Sequence, residues 1–165
     1  MIRDLILRWA RNRLPDFVIG GHESPYLRRH WLLPRNPFFN VYVHEFLRSD
    51  DDRALHCHPW LFNASWLIAG EYVEHTIADG GVHHQAHRRA GDFKFRWGRA
   101  PHRVELHEEL HLYADRAESV PIPCWTVFIT GPVVRVWGFH CPTRFVPWRE
   151  FVDQRDAGAI GRGCD

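Results

Sequence analysis

Short alternating segments separated by turn residues dominate this sequence, and they leave little room for a helical architecture. From Asn40 to Leu47, valine, glutamate and leucine occupy one face of a strand while aromatic residues and a histidine occupy the other. Gly91 to Trp97 alternates aromatic with charged residues in the same way. Trp125 to Ile129 and Val133 to Phe139, joined by a Thr-Gly-Pro turn, predict a further strand pair. Many short strands in one chain predict an all-β jelly-roll barrel.

The middle of the chain continues the strand pattern. Asn63 to Thr76 is predicted to form one long strand, and Asp79 to Gly81 supplies a hairpin turn. His83, His84 and His87 follow on the return strand, among glutamine and arginine residues. This composition favours a solvated edge strand over a second metal cluster.

The N-terminus departs from the strand pattern. Ile2, Leu5, Ile6 and Trp9 lie at helical spacing, with arginines largely on the opposite side, and Pro15 ends the pattern. We expect a short amphipathic helix that packs its apolar stripe on its own domain or on a second subunit. The basic face also suits a membrane surface, which is the alternative.

Length and composition predict one compact domain. The chain has 165 residues, of which 45% are hydrophobic and 14% aromatic, enough for a buried core. We assign residues 1–16 to the helix, 17–156 to a single domain and 157–165, which are glycine-rich, to a flexible tail. A formal net charge of +1 and a pI near 7.9 give no general attraction to nucleic acid. We therefore expect no nucleic-acid partner.

The four cysteines suggest a reducing compartment. Cys57, Cys124, Cys141 and Cys164 show no C-x2-C pairing, which argues against a zinc ribbon or a thioredoxin-type motif. The N-terminus lacks the apolar run of a secretory signal, and no segment approaches the ~18 apolar residues of a membrane span. We predict free thiols in a cytoplasmic protein without membrane attachment.

Two histidines one residue apart are the first chemical signal. Three consecutive acids, Asp50 to Asp52, form a turn that leads to His56 and His58. In a strand these two imidazoles share one face, so together they can bind one metal ion. His102 follows the glycine-led strand that begins at Gly91, and it is the candidate third ligand.

These spacings resemble the two motifs of the cupin superfamily. The first motif reads G-x5-H-x-H-x3or4-E-x6-G, and here Asp50 replaces the opening glycine, Asn63 replaces the glutamate and Gly70 closes it. In the second motif, G-x5-P-x-G-x2-H-x3-N, Gly91 and His102 match. The proline is replaced by Trp97, the second glycine by Arg99 and the asparagine by Leu106. The three histidines therefore match the pattern, but the metal carboxylate does not.

The resemblance covers roughly residues 40 to 140. Flanking segments at 34–40, 51–56 and 136–142 also resemble a bacterial and phage group of cupin-like proteins without an assigned function. The resemblance implies a double-stranded β-helix, that is, a cupin jelly-roll barrel with its metal site at the mouth. It also makes a homodimer possible.

By this resemblance, His56, His58 and His102 are the metal ligands. Iron(II) is the favoured divalent ion, with zinc, nickel or manganese as alternatives. Three neutral imidazoles leave the full dipositive charge on the ion, which favours an anionic or chelating small molecule. Asn63 occupies the glutamate position, either as a weak fourth ligand or as a hydrogen-bond partner of a metal-bound water.

Arginines beside aromatic residues predict the wall of a substrate pocket. Arg135 and Asn63 are the predicted catalytic residues. Arg135 would bind an anion, because a guanidinium can hold a carboxylate in a bidentate pair. The predicted substrate-binding residues that flank the two motifs and the last strand are Trp60, Arg96, Arg99 and Trp137. The alternative is that Trp137 fills the core and Arg135 pairs with an acidic residue.

Three functions follow from these residues. The first is an iron(II) dioxygenase-type enzyme, because three-histidine cupin sites serve oxygen chemistry in related families. The second is an isomerase or epimerase in which the metal acts as a Lewis acid and a histidine moves the proton. The third is a non-catalytic cupin that binds a small ligand, since a fold does not specify a function.

Overall fold

The computed structural model describes residues 1–21, 23–50, 54–155 and 160–165. Two six-stranded antiparallel sheets face each other, and a separate two-stranded hairpin projects from them. In spatial order the first sheet contains β1 (Phe17–Ile19), β2 (Leu27–Trp31), β3 (Asn40–Phe46), β12 (Cys124–Thr130), β5 (Phe62–Ala69) and β8 (Phe93–Trp97). The second contains β14 (Phe145–Pro147), β13 (Gly138–His140), β4 (Leu55–His56), β9 (His102–Leu106), β6 (Glu71–Ile77) and β7 (His83–Arg89). The hairpin is β10 (Glu108–Leu112) with β11 (Ala117–Pro121), and the helices are α1 (Ile2–Arg11), α2 (Trp148–Phe151) and a 3-10 turn at Asp79–Gly81.

The interior between the sheets is built from alternate residues of facing strands. Leu67 and Cys124 of the first sheet form one buried cluster with Tyr72, Val104 and Leu106 of the second. Because strand side chains alternate, these positions face inward while their neighbours face outward. The all-β architecture predicted from the sequence is therefore confirmed.

Helix α1 covers the outer face of the first sheet. Ala10 is 1% exposed, and it packs with Val43 and Ile68, while Ile6 lies at the edge of the same cluster. The predicted helix is present and it packs on its own domain. The buried stripe differs from the prediction, however, because Leu5 is 59% exposed and Ile2 is similarly open. None of the helices in the described residues has the length and hydropathy that a membrane span requires.

Two predicted strands differ from those observed. The long strand predicted over Asn63 to Thr76 is two strands, because the chain turns at Gly70 with a φ of +77°. A Cβ at Gly70 would lie 2.8 Å from the Pro123 carbonyl oxygen, so the turn requires glycine. The strand predicted over Val133 to Phe139 is observed as β13, which covers Gly138–His140, because the chain bends at Arg135 before it reaches the sheet.

The histidines of β7 form an exposed edge, as predicted. Among the described strands β7 pairs with β6 alone, at the border of its sheet, and His83, His84 and His87 are all exposed. His83 Nε2 lies 2.9 Å from His75 Nδ1. Within the described ranges these side chains form no cluster of three metal-ligating groups.

Residues 160–165 of the predicted tail contact the domain, while the assignment of 157–165 to a flexible tail stays a prediction. A disulfide joins Cys141 to Cys164, so the prediction of free thiols is wrong for this pair, whose closeness depends on long-range folding. Cys57 and Cys124 are free and buried. Gly161 and Gly163 both donate backbone N–H groups to the Phe151 carbonyl oxygen. Of the predicted tail, 157–159 lie outside the described residues, as do positions 51 and 52 of the predicted acidic turn.

Candidate metal centre

The side chains of the three predicted histidines come together at the second sheet. His56 on β4 lies directly opposite His102 at the start of β9, and their ring centroids are 5.0 Å apart. His58 follows two residues later on the same side, at 5.2 Å from His56 and 5.1 Å from His102. Its backbone N–H donates to the Gly98 carbonyl oxygen at 2.7 Å. A Cβ at Gly98 would collide with the Trp60 carbonyl, so glycine permits this close approach.

The donor atoms of these histidines fit one metal ion. His58 Nε2 lies 2.9 Å from His102 Nε2. One nitrogen from each of the three rings can be chosen so that all three lie within 4.8 Å of one another. Two metal–nitrogen bonds of about 2.1 Å meeting at a right angle would place their nitrogens about 3.0 Å apart. The three-histidine set therefore suits a divalent transition ion, and it is the one such cluster among the described residues.

Asp50 lies behind His56, on the Nδ1 side of its ring. One carboxylate oxygen of Asp50 lies 3.7 Å from His56 Nδ1 and accepts the Val104 backbone N–H at 2.7 Å. The other oxygen accepts a hydrogen bond from the Tyr26 hydroxyl. A carboxylate near Nδ1 favours metal binding through the other ring nitrogen, Nε2, as outer carboxylates of metal-ligating imidazoles do.

Glu74 plays the corresponding part behind His102. Its side chain is fully buried on β6, and Oε1 lies 3.4 Å from His102 Nδ1. Arg96 pairs with the same oxygen, and Arg88 Nη2 lies 2.9 Å from Oε2. Burial alone would raise the pKa of Glu74, but the contact with His102 and the charge of Arg96 lower it well below the usual range. Glu74 is therefore a buried carboxylate that remains ionised.

The imidazoles of the centre are held in the neutral form that binds metals. Burial, followed by the charge of Arg96, lowers the pKa of His102 to about 4. Burial and then the neighbouring His102 lower the pKa of His58 well below its ordinary value, and burial also lowers the pKa of His56, against the opposing effect of Asp50. At neutral pH all three rings therefore offer a lone pair.

The centre opens into a cavity of about 310 Å³, within the range of small-molecule pockets. Much of its wall is aromatic or aliphatic. Trp60 and Trp137, both predicted substrate-binding residues, line it together with Phe128 and Phe139. Trp60 stacks on His58 with ring centroids 5.4 Å apart, so this part of the wall lies against the metal ligands.

The predicted polar site residues lie elsewhere. Asn63 faces the interior from β5, opposite Arg96, but it lies outside the cavity wall, and its amide forms no hydrogen bond with the described residues. The buried Arg96 guanidinium pairs with Glu74 instead of meeting a substrate. Arg99 and Arg135 also lie outside the wall. The placement does not support their predicted roles, which stay predictions.

Sequence reasoning missed three charged residues of this region: Asp50, Glu74 and Arg29. Asp50 was considered as part of an acidic turn and as the residue at the opening position of the first motif, but not as a partner of His56. Glu74 carries a usable signal, since it alternates with Tyr72 and Thr76 on one face of a strand whose Tyr72 is buried. An acid on an inward strand face requires a buried partner, and that requirement could have located it.

Neither a protein-family model nor a curated protein matches the sequence. Several solved structures are similar in fold. One is an uncharacterised conserved protein with a double-stranded β-helix domain from Klebsiella pneumoniae, at 18% identity over 75% of this chain and 91% of that one, with a TM-score of 0.48. Another is a putative mannose-6-phosphate isomerase from Ralstonia eutropha, at 13% identity over 72% and 93%, with a TM-score of 0.49. A third, Fe(II)-HppE, shares 16% identity over 72% of this chain and 58% of that one, with a TM-score of 0.46.

The assignment of the fold depends on the chain's own topology. Two six-stranded antiparallel sheets enclose a common interior, and the His-x-His strand and the later histidine strand are hydrogen-bonded neighbours in the middle of the second sheet. This arrangement is a double-stranded β-helix, the fold that the resemblance of the histidine motifs implied.

Proposed function

We propose that this protein is a metal-dependent cupin enzyme of the iron(II) dioxygenase type, which acts on a small anionic or chelating substrate. One observation carries the proposal: three neutral imidazoles converge at the wall of a ligand-sized cavity, with a carboxylate behind two of them. A bound iron(II) ion would supply Lewis acidity and redox chemistry with dioxygen. Zinc, nickel or manganese would fit the same donor set.

The residues around the centre have defined tasks in this proposal. Asp50 and Glu74 fix the ring orientation of His56 and His102, so that the donor atoms are positioned before an ion binds. Trp60 and Phe128 supply an apolar wall beside the centre, where electrostatic attraction is stronger than in water. A three-ligand protein set leaves coordination positions for a substrate.

The isomerase alternative needs a histidine or another side chain that can move a proton at the substrate. On the described part of the cavity wall, the histidine outside the centre is His44. Its Nε2 already accepts a hydrogen bond from Arg29, and burial lowers its pKa well below the ordinary value. The carboxylate on the described part of the cavity wall is Asp50, and both its oxygens already accept hydrogen bonds, from Tyr26 and Val104. No second carboxylate lies on that part of the wall. This geometry favours substrate activation at the ion over proton transfer by a carboxylate.

Metal analysis of protein purified without added metal tests the proposal first. Near-stoichiometric iron supports the enzyme, whereas a site that stays empty after anaerobic addition of iron(II), manganese(II) or zinc would contradict it and leave the non-catalytic binding cupin. For the iron-loaded protein, nitric oxide serves as an oxygen surrogate. A high-spin iron–nitrosyl EPR signal that disappears in His58→Ala shows that the centre has an open position.

A further inference from the structure

A second polar group shares the cavity with the histidines. Arg29 on β2 lies opposite His44 on β3, and its Nε donates a hydrogen bond to His44 Nε2 at 2.9 Å. The guanidinium lies 4.7 Å from the centre of the Tyr42 ring. Arg29 and His44 both line the cavity that contains the histidine centre. They therefore form a fixed cationic group, which we call the Arg29–His44 pair.

The charge of Arg29 has no protein counter-ion among the described residues. Its neighbour Arg28, on the outer face of the same strand, pairs with Glu45 at 3.1 Å, whereas no described carboxylate lies within ion-pair distance of Arg29. Burial lowers the pKa of Arg29 to about 10, so it remains charged at neutral pH. A second arginine on the wall, Arg48, is engaged by the Ser24 carbonyl and the Tyr26 ring.

A partly enclosed cation without a counter-ion costs free energy unless a ligand supplies the opposite charge. Asp50 does not supply it, because it forms no ion pair with Arg29 and its two oxygens accept hydrogen bonds from Tyr26 and Val104 instead. The guanidinium presents further N–H donors beyond the Nε that binds His44, and their planar geometry matches a carboxylate.

The region between the two polar groups is aromatic. Phe128 contacts both: its ring centroid lies 5.0 Å from that of His44 and 6.0 Å from that of His58. Trp60 packs on the same ring at 5.6 Å. A ligand that reaches from Arg29 to the histidines must therefore have an apolar or aromatic body.

We propose that Arg29, held in place by His44, is a binding subsite for the carboxylate of a small organic acid whose apolar body lies against Phe128 and whose other end faces the three histidines. The subsite deepens the proposed function, on which it rests, by defining the substrate class. It also assigns to Arg29 the anion-binding role that the sequence suggested for Arg135.

Benzoate and its neutral isostere benzamide are suitable probes, tested by calorimetry on metal-free protein so that the ion cannot hold the carboxylate. We expect the parent to bind benzoate more tightly than benzamide. Arg29→Gln should weaken benzoate binding roughly 10- to 100-fold, the loss expected for hydrogen bonds to a charged group, and should leave benzamide binding unchanged. The matched control is Arg28→Gln, the same substitution one residue away on the outer face, which should bind like the parent.

The outcomes separate this inference from the proposed function. Equal benzoate binding by Arg29→Gln and the parent, in folded protein, would overturn the subsite even if the histidines bind metal normally. Loss of benzamide binding together with benzoate binding would also overturn it, since that pattern marks a collapsed cavity. If Arg29 is required for benzoate but no metal binds to the histidines, the proposed enzyme fails and the anion subsite stands. Metal titration of Arg29→Gln should match the parent.

Discussion

The buried Glu74 carboxylate provides the sharpest test of how the centre is built. It contacts His102, Arg96 and Arg88, and its side chain is fully enclosed. Glu74→Gln keeps the size of the side chain but removes its charge. The buried Arg96 guanidinium would then lack a counter-ion, and its Nε already lacks a hydrogen-bond partner among the described residues.

The two arginines contribute unequally to the expected loss. The Arg88 side chain is 23% exposed, so solvent screens its pair with Glu74, which we take as under ~1 kcal/mol. The Arg96 side chain is 4% exposed, and breaking a buried pair of this kind costs about 3–5 kcal/mol. That loss is a large share of the roughly 5–15 kcal/mol that stabilises a typical domain.

Urea denaturation of metal-free protein measures this loss. Glu74→Gln should lower the midpoint with an unchanged m-value. The control is Glu109→Gln, because Glu109 is an exposed carboxylate whose His111 pair should contribute under ~1 kcal/mol. A Glu74→Gln protein as stable as the Glu109→Gln protein would refute the reasoning.

Metal titration of the same variants separates the two roles of Glu74. Loss of an outer partner of a metal-ligating histidine lowers metal affinity about 10- to 100-fold. We expect Glu74→Gln to show such a loss, because His102 would no longer be held by a charged neighbour. Lower stability with parental metal affinity would mean that Glu74 supports the fold alone.

Three further predictions concern the histidines and the disulfide. His58→Ala should abolish metal binding while circular dichroism shows an intact fold, because packing between the sheets carries the stability; unfolding of the parent on chelation would contradict this. His102 has a folded pKa of about 4 and an unfolded value near 6.5, so it binds protons more readily when the chain is unfolded. In metal-free protein the contribution of His102 to stability should therefore be constant above pH 6.5 and fall by up to about 3 kcal/mol between pH 6.5 and 4. His56 and His58 should add losses of the same sign, and a flat urea midpoint over that range would refute the shift. Cys164→Ser opens the disulfide to Cys141, which closes a loop with a sequence separation of 23, and should cost about 3 kcal/mol. Cys141→Ser should cost the same, and the double variant no more than either single one.

The features that depend on local periodicity could be predicted from the sequence. The alternation of β3 and of β8, the hairpin turn after β6 and the helical spacing of α1 all appear where they were expected. The histidine triad was predictable because two of its members lie on one strand face and the third follows a glycine-led strand. The break at Gly70 was missed because it depends on Pro123, which is distant in sequence.

The supporting charges could not be predicted in the same way, since they depend on strand register across the barrel. Asp50 accepts a hydrogen bond from Val104, and Glu74 pairs with Arg96, contacts that join separate strands and loops. From the sequence alone, Arg96 could either bind a substrate anion or form an internal ion pair. Only the register of β8 with β5, which places it inward, distinguishes the two.

The balance of charge connects the metal centre to the Arg29–His44 pair. Arg88 and Arg96 neutralise Glu74, so Asp50 is the described carboxylate left to offset a divalent ion held by neutral histidines. Arg29 adds a positive charge to the same cavity. A neutral ligand would leave this excess uncompensated in a largely apolar cavity, where electrostatic interactions are stronger than in water. An organic acid offsets the charge at Arg29 and can still coordinate the ion, which is why the two proposals predict the same class of substrate.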